Sequence, residues 1–354
     1  MPIDLIKEGT VQFSVPSPSV VDVGAKCDAD GNMYAVWSDA APTLQKFGEQ
    51  LVANGPSTVS EPVRKLVLES KEIIAYRRQP IPDYAYQTRL SFAVSPDGAV
   101  SDLVVARHDR ATRGHAEAEY FVEKFKDDGD FDSRVKLEVP DGKYLNASKF
   151  ATFADGRFLV MGMVRDGYLS RDQKPFAGIF DSSGRFLSKL RFTFDEKAKY
   201  PGMGAGTGKT QAGEGAMVAI ELGSVSSDPA GDVYIKLAGD PVQAIAVSPS
   251  GEVEREIKLN TPAKGLSSAE TGVAESGLMY VHFYPFRDTR AATPEPPGMI
   301  GTIDVMTGQY DQLYRLPPNA EQRTMGVCGD SQGNFLFLES NPQSKLEVTK
   351  YSAQ

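Results

Sequence analysis

Hydrophobic and polar positions alternate along most of this chain, in short runs separated by turn-forming clusters. A period of two puts successive side chains on opposite faces, which predicts half-buried strands rather than helices. The runs come in pairs about a glycine. One pair reads CDADGNMYAVW around Gly31, FAVSPDGAVSDLVVA around Gly98 and FATFADGRFLVMG around Gly156. It returns as VSSDPAGDVYIKL around Gly231, GVAESGLMYVHFY around Gly277 and GVCGDSQGNFLFL around Gly333. Glycine reaches positive φ without a Cβ clash, and neighbouring Asp, Asn, Ser and Pro favour turn initiation. Each unit therefore predicts a tight antiparallel hairpin.

A second hairpin follows most of the first. Its turns centre on Gly129, Gly184, Gly251 and Gly308. After Gly31 the counterpart PVRKLVLESKEIIAYRR turns at Glu69–Lys71 without a glycine. Two hairpins per repeat make a four-stranded antiparallel sheet, the blade of a β-propeller. After Gly333 only KLEVTKYS remains, one strand short of a blade. The missing strand is present at the other end, where Lys7-Glu8-Gly9-Thr10 leads into VQFSVP. The expectation is an all-β, six-bladed propeller in one domain over 1–354, its last blade closed by the N-terminal strand. The blades fall at 19–80, 89–140, 147–194, 218–260, 267–317 and 324–354 plus 7–16. The hairpins resemble the NHL-type and TolB-like propeller repeats, in which DxxGNxYVxD pairs with a second glycine-turned hairpin. Asp39, Asp109, Asp166, Asp240 and Asp288 follow the first hairpins where that pattern often has Asp. The resemblance implies the fold; the family has protein-binding, RNA-binding and enzymatic members.

Strand parity predicts which face carries function. The glycine turns are short, whereas the long connections (39–62, 110–118, 167–174 and 289–298 within blades; 79–88, 138–148, 195–217 and 260–268 between them) emerge together on the opposite face. Long loops on a rigid scaffold are where binding concentrates. The candidate ligand-binding set there is Arg107, His108, Arg165, Tyr168, His282, Tyr284 and Arg287, with Phe286 nearby. Arginines beside aromatics suit a carboxylate, a phosphate or a peptide, while the same residues at strand ends also serve to cap turns and pair with surface carboxylates.

Other motifs read more plainly as structure. GMGAGTGKT at 202–210 is similar to a phosphate-binding loop, but the position five before Gly208 is Met203 and no strand leads into it. Asp28, Asp30 and Asn32, and the cluster Asp127, Asp128, Asp130 and Asp132, resemble calcium loops without the required Gly and Glu spacing; hairpin chemistry explains both. No cofactor is expected; the alternative is calcium at either aspartate cluster or a transition metal on His108, His115 and His282. Cys27 and Cys328 fall in blades that meet at the closure. A disulfide there would reinforce the seam; the spacing of inner strands favours two buried free thiols. TLQKFGEQLVANG, within 39–62, predicts a short helix.

Composition changes the picture little. An apolar fraction of 41% supports a large core, and a net charge of −9 argues against nucleic-acid or anionic-membrane affinity through bulk charge. No run reaches the ~18 apolar residues of a membrane span. The segment Met1–Lys7 lacks a signal-peptide pattern, so the chain is either cytoplasmic or has lost an export signal, with a periplasmic or secreted setting favoured. The functional expectation is a soluble, bacterial-type, non-catalytic scaffold presenting its loop-rich face to a protein, peptide or small anionic ligand. The alternative is a metal-dependent lyase or hydrolase at the mouth of the central channel.

Overall fold

The structure is a computed structural model that describes residues 1–15, 19–20, 25–38, 61–108, 118–140, 144–167, 170, 173–194, 214–273, 278–285, 296–317, 324–330, 332–340 and 346–354. Its strands form five sheets. The first joins β2 (Ser19–Val20), β4 (Met33–Ser38), β5 (Val63–Val67) and β6 (Glu72–Tyr76), with β3 (Lys26–Cys27) also on β4. The second is β7 (Tyr86–Val94), β8 (Val100–Arg107), β9 (Ala118–Phe125) and β10 (Phe131–Leu137). The third is β11 (Tyr144–Thr152), β12 (Phe158–Arg165), β13 (Gln173–Phe180) and β14 (Phe186–Lys189). The fourth is β15 (Ser224–Ser227), β16 (Val233–Leu237), β17 (Val242–Val247) and β18 (Val253–Leu259). All are simple antiparallel meanders.

The fifth sheet holds both ends of the chain. It begins with β19 (Leu266–Val273), β20 (Met279–Pro285), β21 (Met299–Asp304) and β22 (Gln309–Arg315). It continues through β1 (Ile3–Phe13) and β25 (Leu346–Ala353) to β24 (Phe335–Ser340) and β23 (Thr324–Gly329). The expected closure is present: β1 runs antiparallel to β25 from Leu5↔Ala353 to Phe13↔Leu346. Beyond that expectation, β1 also pairs in parallel with β22 at Ile3↔Tyr314 and Asp4↔Arg315.

The core lies between sheets, and the packing runs in a ring. Tyr34 and Val36 meet Phe92 and Val100; Leu103 and Val122 meet Phe150 and Phe158. Leu159 and Ile179 meet Ile235 and Ile245, and Val242 and Ala244 meet Val281 and Phe283. Tyr280 and Ile300 meet Phe335 and Phe337, and Leu338 and Val348 return to Met33 and Trp37. Strands between two such layers are buried on both faces, which is why VYIKL and VQAIAV are almost wholly apolar and buried at every position, Lys236 and Gln243 included. The molecule is an all-β propeller.

The turn chemistry follows the sequence closely. Gly31, Gly98, Gly156, Gly231 and Gly333 all have φ near +80°, between 78° and 93°. In the turn that lacks glycine, Lys71 takes φ +60°. Gly277, the predicted helix in 39–62 and the phosphate-loop-like segment lie outside the described residues. One correction concerns the connection predicted as a loop over 195–217. Helix α1 (Glu214–Glu221) spans the end of that connection and the start of the blade expected from 218, and its Val218, Ala219 and Ile220 are buried. Its stability comes from tertiary packing, since Ala219 and Ile220 join the Leu159–Ile235 cluster and the Ala219 carbonyl accepts from the Ala238 N–H.

Candidate functional site

Strand register assembles the loop-bearing face. Tyr86 lies opposite Arg107, and Arg107 opposite Ala118; Tyr144, Arg165 and Gln173 repeat the arrangement one sheet on. Arg107 is exposed, its guanidinium 6.0 Å from the ring centre of Tyr86, itself 46% exposed. Between the two sheets stands buried Tyr120, whose hydroxyl donates to the Leu145 carbonyl. Burial pushes the Tyr120 hydroxyl up to about 12, against the pull of two positive charges, Arg107 and Arg165. Both arginines therefore act on one spot, and they come from neighbouring sheets.

His108 is positioned differently from Arg107. Its ring stacks on Tyr84 at 4.2 Å, Nδ1 lies 2.8 Å from the Asp83 carbonyl, and Nε2 lies 3.7 Å from Glu119 Oε1. Partial burial would raise the Glu119 pKa, but hydrogen bonds from Lys136 and Tyr84 outweigh it and hold the carboxyl below its usual range. His108 thus belongs to a local clamp that fixes the start of β7 to the end of β8.

Tyr284, expected on this face, is 37% exposed, whereas His282 is 4% exposed and lies inside, its ring edge-on to Phe337 at 5.9 Å. Its position two residues before Tyr284 puts it deeper along the same strand face, against the next layer of the ring. Tyr168 and Arg287 lie outside the described residues.

The opposite, turn-bearing mouth was expected to be plain, yet it holds a cavity of about 160 Å³ lined by Asp28, Asp330, Asn334, Lys350, Cys27 and Cys328, among others. The aspartates there are engaged by their own turns. Asp28 accepts from the Asn32 N–H at 2.8 Å and from Tyr34 at 2.7 Å, and Asp330 accepts from the Asn334 N–H at 2.9 Å. Asp228 repeats the motif, taking the Asp232 N–H at 2.9 Å. Inward of the cavity, Lys26 reaches across the channel to donate to the Val225 carbonyl of β15 on the far wall. Only about 30 Å³ remains at that level.

The cysteines correct the sequence reading, which favoured free thiols. Cys27 and Cys328 are disulfide-bonded with Cα atoms 6.0 Å apart, inside the range a disulfide can span. Gly326 explains the approach: a Cβ there would sit 2.6 Å from the Ala25 backbone nitrogen, so only glycine lets β23 and β3 come this close. That glycine, two residues before Cys328, is the signal the sequence offered.

Both calcium-like clusters are occupied by turn bonds, such as the Asp130 N–H on Asp128 Oδ1 at 3.0 Å. Among the described residues no group of three or more His, Cys, Asp and Glu is placed to hold a metal ion. Among the same residues no helix is long and apolar enough to cross a membrane.

No family model and no curated protein sequence matches the chain. Solved structures do. A protein of unknown function from Dyadobacter fermentans is similar over 99% of both chains, with TM-score 0.57 and 12% identity. A GH93 α-L-arabinofuranosidase of Fusarium graminearum, in complex with arabinobiose, is similar over 98% of both chains, with TM-score 0.51 and 11% identity. At such identities the likeness shows the fold alone, and with the GH93 enzyme that shared fold is the β-propeller.

Proposed function

We propose that the chain is a six-bladed propeller serving as a non-catalytic binding scaffold, which presents its loop-bearing face to a protein, peptide or small anionic ligand. The blade count is supported by the inner strands, which neighbour one another in the circle β3, β7, β11, β15, β19, β23 and back to β3. It is also supported by the fifth sheet, which divides naturally at the short parallel contact of β22 with β1. Kinship with NHL-type repeats is supported by the recurring Asp–Tyr contact, Asp28 with Tyr34 and Asp228 with Tyr234. The disulfide favours a periplasmic or secreted setting, because such bonds persist in oxidising compartments.

The observation that carries the binding reading is the exposed Arg107 over Tyr86, with Arg165 of the next sheet joining Arg107 in its pull on Tyr120. No carboxylate lies within ion-pair distance of Arg107 among the described residues. On a chain with net charge −9, a local pair of arginines beside aromatics is a site for anionic groups. The test is thermal shift with inorganic phosphate, citrate and an oligo-aspartate peptide, on the wild type and on Arg107→Ala and Arg165→Ala. At least one probe is expected to raise the melting temperature saturably. Each substitution is expected to weaken that binding about tenfold or more, the cost of a charge-assisted hydrogen bond. Equal responses in wild type and variants, or none at all, overturn the reading.

A further inference from the structure

The turn-face cavity has a chemical feature that the loop-face reading does not use: its lining includes both sulfur-bearing residues of the disulfide. A disulfide is opened by a thiolate that reaches one of its sulfurs, so access governs its lability. Access is widest from the turn-bearing side, because the inward space that Cys27 also lines is only about 30 Å³. Lys26 crosses the channel just inward, bonded to the Val225 carbonyl, so approach from the loop-bearing face meets a narrowed waist. Cys27 is half-buried and Cys328 is 3% exposed. The space of about 160 Å³ is close to the ~150 Å³ that holds a benzene ring. It admits the thiol end of a small molecule and excludes a folded reductase domain.

We propose that this cavity is a thiol–disulfide exchange site for low-molecular-weight thiols, and that exchange there opens the covalent closure of the ring. The thiolate attacks the sulfur of Cys27, forming a mixed disulfide and releasing the Cys328 thiolate, which takes up a proton. A second thiolate attacks the small-molecule sulfur of that mixed disulfide, releasing the Cys27 thiolate, which is protonated in turn. Two thiols are oxidised to one small disulfide, and the protein disulfide is reduced to two thiols. The seam is then held by the β1–β25 ladder and the packing of Met33 and Trp37 on Leu338 and Val348. The ring remains folded but loses its inner tie.

The experiment uses the oxidised full chain without denaturant, treated with reduced glutathione or with a thiol-terminated polyethylene glycol at equal thiolate concentration. Iodoacetamide quenching and intact mass follow the reaction. Glutathione is expected to form an adduct and then free both cysteines, at least about tenfold faster than the bulky thiol. Ala29→Trp, an exposed turn residue that lines the cavity, is expected to slow glutathione while leaving the melting temperature of the oxidised protein unchanged. Reduced wild type is expected to melt at the temperature of Cys27→Ser/Cys328→Ser, which glutathione does not move. The proposal is overturned by reaction only in denaturant, by equal rates for the two thiols, or by two free thiols in the starting material.

Discussion

Single residues carry uneven weight in this ring. Glu123 is fully buried and accepts from Arg78 at 2.7 Å and from Arg134 at 2.9 Å. Glu123→Ala leaves guanidinium charge without its counter-ion, and removing one partner of a buried pair costs about 3–5 kcal/mol. Urea denaturation measures that loss. His282 makes a prediction of opposite character. Burial, and behind it the charge of Lys236, lowers its pKa to about 4. Its ordinary value is about 6.5, so between those values the unfolded chain binds a proton that the folded chain refuses. Stability is therefore full above pH 6.5 and falls as the pH drops toward 4. With a folded pKa of about 4, the loss at pH 5 is about 2 kcal/mol. His282→Gln should flatten that part of the profile, read as the difference between wild-type and variant urea midpoints at pH 7.5 and pH 5. An unchanged difference would show that His282 is not shielded.

At the scale of elements, the seam between β23 and β3 is the tightest joint to test. Gly326→Ala forces the Ala25 backbone away and should lower the melting temperature and the yield of the Cys27–Cys328 bond together. Thermal melting and thiol counting on the same sample check both. The N-terminal strand makes a separate prediction. Deleting residues 1–13 exposes an edge of β25 and of β22, both now paired with β1. Unpaired edges template association, so light scattering should show larger particles than those of the full chain. The hairpins were legible in the sequence because most turns state their own requirement, a glycine at positive φ with Asp or Ser nearby. Helix α1 was not, because MVAI reads the same in a strand as in a helix; contact with the Leu159–Ile235 layer decides between them.

For the whole molecule, closure is made twice, at two radii. The outer tie is the β1–β25 ladder, and the inner tie is a disulfide between residues 301 apart. In the chain-entropy account a cross-link of that span restricts the unfolded chain by on the order of 5 kcal/mol. Cys27→Ser/Cys328→Ser should accordingly lose up to that amount in urea denaturation and still fold, since every layer of side-chain packing survives. A variant as stable as the wild type would mean that the outer tie alone closes the ring.

The repeat was determined by the sequence alone, because a hairpin is a local object whose turn, alternation and length are written within a dozen or so residues. The split between the two ends was legible for the same reason: one strand was missing and one was spare. Only the tertiary structure decided what meets across the ring. It placed Arg107 and Arg165 about one tyrosine, took His282 out of the solvent, and clamped His108 between Tyr84 and Glu119. It also brought Cys27 to Cys328, since how closely two inner strands approach depends on the summed curvature of the ring and on Gly326 at the contact. Those are relations between distant residues, and local pattern holds no information about them.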